Sequence, residues 1–275
     1  MNKSSKSNHK RVFIIIGAVI IAFLLIVILK SPTTNNSSAA DALAPQKLIN
    51  QITSIPDTVF NQIGIGTSTV KATPISGKPY LSSKGLPQVL YIGAEYCPYC
   101  AAERWSVVIA LSKFGTFKNL GTTHSSSTDV YPDTQTLSFH GSSFTSKYIG
   151  FVPVEEFTNI PTSSGYTKLD NPTSYQQSLM NTYDAPPYTT SSNQGAIPFI
   201  YFNGKYMIVG ATYSPQPLQN QSYQNIADAL TNVKSPIAKG VIGAANNFTA
   251  TVCKITNNQP VTACTPAIKK LETGL

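Results

Sequence analysis

One segment organises this chain: Gly93-Ala94-Glu95-Tyr96-Cys97-Pro98-Tyr99-Cys100-Ala101-Ala102-Glu103-Arg104-Trp105. The apolar residues 88–92 before it are typical of a short β-strand, and residues 105–112 after it fit a buried helix. The segment therefore places a Cys-x-x-Cys pair at a strand-to-helix junction. Thiol–disulfide exchange needs this arrangement, because the helix terminus activates one sulfur while the second stays within reach.

The spacing of the pair assigns different roles to its two sulfurs. Two intervening residues allow Cys97 and Cys100 to meet within one helical turn. Pro98 suits the first helical position, since its missing N–H would have no partner there. Cys97 is then expected at the N-cap, where the free N–H groups of Tyr99 and Cys100 lower its pKa, although a nearby Glu95 carboxylate would raise it. We expect Cys97 to be the exposed attacking thiolate and Cys100 the resolving thiol.

Other interpretations of the four cysteines stay open. A Cys-x-x-Cys pair can be half of a zinc site or a purely structural bridge. The remaining cysteines, Cys253 and Cys264, enclose ten residues, which is not the spacing of a second zinc pair. Because exported chains favour disulfides, we predict a structural disulfide between Cys253 and Cys264. A relay pair that re-oxidises Cys97 and Cys100 is its alternative, and no resident metal is predicted.

The N-terminus carries a membrane signal. Residues 12–29 are an uninterrupted run of 18 apolar residues between four basic residues and Lys30. This length is just enough to span a bilayer, and the basic flank stays in the cytoplasm. A cleaved signal peptide normally has an apolar core of about 7–15 residues with a small-residue cleavage site close behind. We predict an uncleaved anchor, and both interpretations export the remaining chain.

The net charge of +8 is largely a property of this N-terminus. Five of the 20 basic residues lie in residues 1–30, which contain no acidic residue, so residues 31–275 carry 15 basic and 12 acidic groups. Those basic residues form no cluster, which excludes nucleic-acid binding. Charged residues make up 12% of the chain, against a typical value of about 25%. A surface built from uncharged polar residues would suit an acidic exterior.

Hydrophobic periodicity predicts a mixture of helices and strands. Two helices are expected within residues 45–63, and loops with a short strand near Val70 within residues 64–84. Residues 122–132 are dense in turn formers. Two apolar runs flank Asn203-Gly204, which is the strongest short signal for a β-hairpin. A cis peptide bond is expected before Pro198, because only X-Pro bonds adopt the cis form at low cost. The other predictions are strands at 88–92, 134–140 and 148–154, a cysteine helix ending near 114, and helices at 174–183, 215–233 and 236–248.

These features together resemble the thioredoxin superfamily over residues 85–234. The resemblance rests on the strand, the Cys97–Cys100 helix, Ile197-Pro198, the Asn203-Gly204 hairpin, Gly210 and a closing helix. It implies that Pro198 is cis beside the cysteines, and that the backbone of Ile197 pairs with an extended substrate peptide, with Pro98 and Tyr99 also in the substrate-binding surface. Tyr91 stands where cytosolic thioredoxins carry a buried aspartate, and the long span between Cys100 and Pro198 implies an insertion.

Three segments are similar to a narrower family, the exported thioredoxin-like proteins called domain of unknown function 929. They are residues 97–105, 124–132 and 151–155. This resemblance implies a fold and a site but no established activity. The sequence as a whole predicts a cytoplasmic tail at 1–11, a transmembrane anchor at 12–29, a linker at 30–44, an N-terminal extension at 45–84, a thioredoxin-like α/β domain at 85–234 and a C-terminal extension at 235–275.

The sequence therefore predicts a single-pass, membrane-anchored thiol–disulfide oxidoreductase whose domain lies outside the cytoplasm. Its partners would be exported proteins with thiols or disulfides. No cofactor is predicted, because electrons pass from sulfur to sulfur. Two other functions compete: a non-catalytic binding module of the cell envelope that uses the edge at Pro198, and a copper or zinc carrier that uses Cys97 and Cys100.

Overall fold

The computed structural model describes residues 42–274 of the chain. The predicted basic tail at 1–11, the predicted anchor at 12–29 and residues 30–41 of the predicted linker lie outside this range. Residues 42 and 43, predicted as the end of a flexible linker, instead form a short strand that pairs with residues 121 and 122. Between residues 42 and 274, no helix has both the length and the apolar composition to cross a membrane.

The described residues form twelve strands, numbered here in chain order. They are β1 (Ala42–Leu43), β2 (Thr73–Pro74), β3 (Gln88–Gly93), β4 (Gly115–Lys118), β5 (Gly121–His124), β6 (Gln135–Ser138), β7 (Ser143–Ser146), β8 (Gly150–Glu155), β9 (Phe157–Thr162), β10 (Gly165–Lys168), β11 (Phe199–Phe202) and β12 (Tyr206–Val209).

The same residues form seven α-helices and one short 3-10 helix, Gln216–Leu218. The α-helices are α1 (Gln46–Thr53), α2 (Asp57–Ile63), α3 (Pro98–Leu111), α4 (Ser174–Tyr183), α5 (Tyr223–Ala229), α6 (Pro236–Ile255) and α7 (Pro266–Glu272).

The centre of this α/β architecture is a mixed five-stranded sheet in the order β2-β12-β11-β3-β8. Strand β3 is parallel to β8 and antiparallel to β11, and all six of its residues are buried. A parallel pair needs a long crossover connection, and here the connection contains α3 and β4 to β7. Strand β3 therefore lies inside the sheet and delivers the following cysteine loop to a fixed position.

Successive residues of β3 contribute to two different cores, as the pleat of a strand requires. Val89 and Tyr91 pack with α3 and α6 on one face of the sheet. Leu90 and Ile92 pack with Leu179 of α4 on the other face. Both faces are covered, which explains why the strand reads as a continuous apolar run.

The predicted hairpin at Asn203-Gly204 is present between β11 and β12. Phe202 pairs with Tyr206, and both turn residues have positive φ, 47° for Asn203 and 75° for Gly204. Asparagine and glycine tolerate these left-handed conformations. The loop between the paired residues is Asn203-Gly204-Lys205, and the Lys205 N–H donates to the carbonyl oxygen of Phe202 at 2.9 Å. The antiparallel pairing of β11 with β3, in which Phe199 is opposite Ile92, brings Pro198 next to the end of β3.

Two predicted elements were wrong in position or extent. The strand expected near Val70 is instead β2 at residues 73 and 74. The helix predicted from Pro215 is only the 3-10 turn Gln216–Leu218, because Gln219 is extended and Asn220 has a φ of 60°. The α-helix starts again after Ser222, whose hydroxyl accepts a hydrogen bond from the backbone N–H of Asn225.

Two other predicted boundaries differ from the structure. Helix α6 was predicted to end at Phe248 but continues to Ile255, and most of its residues are buried. His124, predicted in a turn-rich loop, is the last residue of β5. Strands β4, β7, β9 and β10 were not predicted at all.

Candidate functional site

The site begins where β3 ends and α3 starts. Cys97 is the N-cap of α3, Pro98 occupies the first helical position, and the Cys97 sulfur accepts a hydrogen bond from the backbone N–H of Cys100 at 3.2 Å. The first N–H groups of any helix lack helical partners, so a sulfur at the N-cap receives them. The predicted local geometry of the pair is therefore present.

Both cysteines are free thiols in the structure, and both are buried. Cys97 retains 5% of its accessible surface and Cys100 retains none. Cys97 was predicted to be exposed, and the structure corrects this: Cys97 is buried, and its sulfur lies 3.7 Å from the carbonyl oxygen of Ile197. A visiting sulfur would reach Cys97 before Cys100.

The surroundings shift the pKa values of the two thiols in opposite directions. Hydrogen bonding from Cys100 lowers the pKa of Cys97, and the positive charge of Arg104 adds to this effect against the cost of burial. Burial raises the pKa of Cys100 well above its usual value, and the neighbouring Cys97 raises it further. Cys97 is accordingly the better nucleophile of the pair, and Cys100 remains protonated.

The second half of the site comes from a distant part of the chain. The Cys97 thiol donates a hydrogen bond to the carbonyl oxygen of Ile197 at an Sγ–O distance of 3.7 Å. The Ile197-Pro198 peptide bond is cis, and the next residue, Phe199, pairs with Ile92 near the end of β3. The antiparallel register of β11 on β3 thus places Ile197 and Pro198 beside Cys97.

Below the cysteines lies a fully buried ion pair. Arg104 donates from Nε to Oε1 of Glu155 at 2.8 Å and from Nη2 to Oε2 at 2.7 Å. Nη2 also donates to the carbonyl oxygen of Ala94 at 2.8 Å, in the loop that leads to Cys97. The pair ties α3, β8 and the cysteine loop together. This ion pair could not be predicted from the sequence, because its partners are 51 residues apart.

The sequence predicted that a nearby Glu95 carboxylate would raise the pKa of Cys97, but this side chain is hydrogen-bonded to another part of the chain. Its carboxylate is buried and accepts a hydrogen bond from the Ser138 hydroxyl at 2.6 Å. Burial raises the pKa of Glu95, and the hydrogen bond from Ser138 opposes the rise. The Glu95 side chain is thus held by a hydrogen bond from β6.

Tyrosine side chains form a rim around the cysteine pair. Tyr96 stacks on Tyr166 of β10 with ring centroids 4.2 Å apart, and Tyr99 meets Tyr131 edge-on at 6.1 Å. The backbone N–H of Ser126 donates to the carbonyl oxygen of Tyr96 at 2.8 Å. Residues 124–132, whose role the sequence left open, therefore lie at this rim.

A cleft of about 410 Å³ opens along the rim beside Tyr96. The residues that line it are Tyr96, Phe157, Ser164, Gly165, Tyr166 and Lys168. Strands β9 and β10 form the outer wall of the cleft. Their hairpin lies in the insertion between Cys100 and Pro198, so the insertion builds part of the surface next to Cys97.

The other two cysteines lie at the C-terminal end of α6. Cys253 and Cys264 form a disulfide that joins this helix to the segment before α7. Both residues are buried, with 0% and 1% of their surface accessible. A relay to Cys97 and Cys100 requires an accessible sulfur, so this burial favours a structural role.

No metal centre accompanies the cysteines in the described part of the chain. Residues 42–274 contain no group of three or more histidine, cysteine, aspartate or glutamate side chains arranged to hold a metal ion. Cys97 and Cys100 alone would supply two ligands, whereas a structural zinc site takes four.

The chain matches a known protein family. Residues 71–254 match the family model described as a domain of unknown function (DUF929). No curated protein and no solved structure matches the chain. The matched range contains the cysteine pair, the buried ion pair and Ile197-Pro198.

Proposed function

The chain belongs to the family described as a domain of unknown function (DUF929), and because that description carries no activity, we propose the function from the site. We propose that the protein is a thiol–disulfide oxidoreductase that acts through Cys97 and Cys100. The observation that carries the proposal is the Cys97 sulfur at the N-cap of α3, which accepts the Cys100 N–H and has a lowered pKa.

The reaction needs only the sulfurs of the protein and its substrate. The Cys97 thiolate attacks a substrate disulfide, forms a mixed disulfide and releases one substrate thiolate. Cys100 then attacks the Cys97 sulfur, closes the Cys97–Cys100 disulfide and releases the second substrate sulfur. Two electrons pass to the substrate, and the reverse sequence oxidises a dithiol. The direction depends on the reduction potential of the pair.

A thioredoxin-like arrangement is part of the proposal. What supports it is the central sheet, in which β3 runs parallel to β8 and antiparallel to β11. The cysteine helix follows β3 directly, and Pro198 precedes β11. In such an arrangement the backbone of Ile197 would pair with an extended substrate segment, next to Pro98 and Tyr99.

We also propose that the domain faces the exterior from a membrane anchor at residues 12–29. The support is the apolar run of the sequence with its basic flank, together with the Cys253–Cys264 disulfide. Structural disulfides persist in oxidising compartments and are rare in the cytosol. The substrates would then be exported proteins with cysteines.

A non-catalytic binding module is the second candidate. Two large apolar side chains at the rim are exposed, Tyr99 by 42% and Val130 by 65%, which is a surface that a binding partner could cover. A binder would use this face without exchanging disulfides. The two functions differ in whether Cys97 is required.

The test is the reduction of a model protein disulfide, insulin, by the full-length chain in detergent micelles with dithiothreitol as the reductant. We expect the wild type to accelerate insulin reduction and Cys97→Ser to be inactive. Cys100→Ser should accumulate a mixed disulfide with insulin, because the resolving thiol is missing. A wild-type rate equal to that of dithiothreitol alone would contradict the proposal, and retained partner binding by Cys97→Ser would then favour the binding module.

A further inference from the structure

The resolving cysteine has an energetic problem that the fold must solve. Cys100 is completely buried, and it has to become a thiolate, at least transiently, in order to attack Cys97. Burial disfavours that charge and raises the Cys100 pKa.

Arg104 is the first group placed to offset this cost. It follows Cys100 by four residues and therefore lies on the same face of α3. Glu155 occupies Nε and Nη2 of its guanidinium, and Ala94 accepts a second bond from Nη2. The remaining nitrogen, Nη1, is buried and has no hydrogen-bond partner among the described residues. A buried guanidinium on the same face of α3 as Cys100 thus keeps one pair of donors free.

Tyr91 is the second group. Its side chain is fully buried, and its hydroxyl has no hydrogen-bond partner within residues 42–274. The ring extends toward the end of β3: a Cβ atom on Gly93 would stand 2.6 Å from the Tyr91 hydroxyl. Glycine at position 93 thus leaves room for this hydroxyl next to the cysteine loop. Leaving such a polar group unpaired costs about 1–3 kcal/mol, which calls for an explanation.

We propose that Arg104 and Tyr91 are positioning residues that stabilise the Cys100 thiolate during the resolving step. The inference rests on the proposed redox function. Burial raises the pKa of Tyr91 well above its usual value, so the phenol stays neutral and serves as an O–H donor. The positive charge of Arg104 also favours the Cys100 thiolate, since it lowers the Cys100 pKa while burial raises it.

The step that these residues assist balances within the protein and its substrate. Cys100 loses its proton, and the Cys100 sulfur attacks the Cys97 sulfur of the mixed disulfide. The bond between Cys97 and the substrate sulfur breaks while the Cys97–Cys100 bond forms. The substrate leaves as a thiolate that takes up, through water, the proton that Cys100 lost. Two electrons end on the substrate, and no further reactant is consumed.

Other ionisable groups lie near Cys100 and Arg104, and their titration would also contribute to a pH profile of the resolving step. Glu155 on β8 pairs with Arg104, Glu95 in the loop lies within the electrostatic reach of Arg104, and Cys97 caps the helix. The alternative role for Arg104 and Tyr91 is mechanical, with the ion pair simply tying α3 to β8. A mechanical role predicts changes in stability, whereas the proposed role predicts changes in the rate of one step.

The test follows the two steps separately with dithionitrobenzoate as the disulfide. The reduced full-length chain should release one thionitrobenzoate when Cys97 reacts and a second when Cys100 resolves the adduct. In the proposal the Tyr91 phenol donates a hydrogen bond only when Cys100 is a thiolate, so Tyr91→Phe should slow the second release about ten-fold or more and shift its pH profile upward. The first release and the melting temperature should not fall, because the Tyr91 hydroxyl has no hydrogen bond to lose.

Tyr213→Phe is the matched control. Tyr213 is also buried against α3, but its hydroxyl donates to the carbonyl oxygen of Ala102 at 2.7 Å. This variant should lower the melting temperature and leave the second release unchanged. A Tyr91→Phe variant whose second release matches the wild type would overturn the role of Tyr91.

Arg104 needs a paired substitution, because removing it alone leaves the Glu155 charge buried without a partner. Arg104→Gln with Glu155→Gln removes both charges and leaves a neutral polar side chain at each position. We expect a second release slower than that of Tyr91→Phe, and an unchanged rate would overturn the role of Arg104. A wild type that releases no second thionitrobenzoate would instead contradict the proposed redox function itself.

Discussion

The Cys97 sulfur lies 3.7 Å from the carbonyl oxygen of Ile197, although 100 residues separate the two in the chain. The contact follows from the pairing of β11 with β3, which aligns the residue before Pro198 with the end of the strand that delivers the cysteines. A segment that bonds to the Ile197 backbone would have its own sulfur next to Cys97.

The stability of the domain should depend on pH through Glu103. Its carboxylate is fully buried and accepts hydrogen bonds from the backbone N–H of Thr212 at 2.8 Å and its hydroxyl at 3.0 Å. Burial raises the pKa of Glu103 from 4.5 to about 7. The fold therefore favours the neutral carboxyl, so this stabilising contribution is complete below pH 4.5 and is lost as the pH rises through about 7.

We expect this one group to lower the free energy of unfolding by roughly 3 kcal/mol between those limits. Urea unfolding followed by the fluorescence of Trp105 measures the effect at each pH. Glu103→Gln, which stays neutral, should remove this contribution to the change of the unfolding free energy with pH. A wild-type stability that increases from acid to neutral pH, with no difference in Glu103→Gln, would show that Glu103 does not behave in this way. Greater stability in acid would also fit the acidic exterior inferred from the composition.

Removal of the second disulfide should affect stability and leave exchange intact. Cys253 and Cys264 are 11 positions apart, and closing a loop of this length stabilises the fold by about 3 kcal/mol in the chain-entropy model. The double variant Cys253→Ala/Cys264→Ala should unfold at a lower guanidinium concentration and reduce insulin at the wild-type rate. Loss of activity in a variant that is still folded would instead favour the relay role.

Tyr99 should contribute to the recognition of protein substrates. It lies between the two cysteines and keeps 42% of its side chain exposed. An aromatic contact is worth about 0.5–1.5 kcal/mol, so Tyr99→Ala should raise the KM for insulin several-fold and leave the first reaction with dithionitrobenzoate unchanged. Tyr175→Ala is the matched control, because Tyr175 is 43% exposed but lies on α4 and packs against Tyr80. Equal effects of both substitutions on the KM would contradict a specific role of Tyr99 in substrate recognition.

The local features of the site could be predicted from the sequence because they depend on neighbouring residues. Pro98 sets the helix start and therefore the N-cap position of Cys97, and Asn203-Gly204 sets the β11–β12 turn. Helix α4 has its predicted limits, because Thr173 and Gln176 form a capping box. Each of these signals is contained within a few residues.

The buried groups around the cysteines depend on long-range pairing and could not be predicted in the same way. Nothing near Arg104 indicates that Glu155, on a strand 51 residues away, completes its ion pair. Strands β9 and β10 contain Pro161, Gly165 and several polar residues, so they lack the alternation of a half-buried strand. Their pairing became visible only with the tertiary structure, and with it the Tyr96–Tyr166 wall of the cleft.

The reduction potential of the Cys97–Cys100 pair tests the central proposal most directly. The full-length chain would be equilibrated with mixtures of reduced and oxidised glutathione, and the fraction with a Cys97–Cys100 disulfide measured by mass spectrometry after alkylation. The account predicts a reversible two-electron transition in the range of known exchange enzymes, about −270 to −120 mV, which Cys97→Ser abolishes. A pair that stays reduced, or reacts only after unfolding, across the whole series would contradict it.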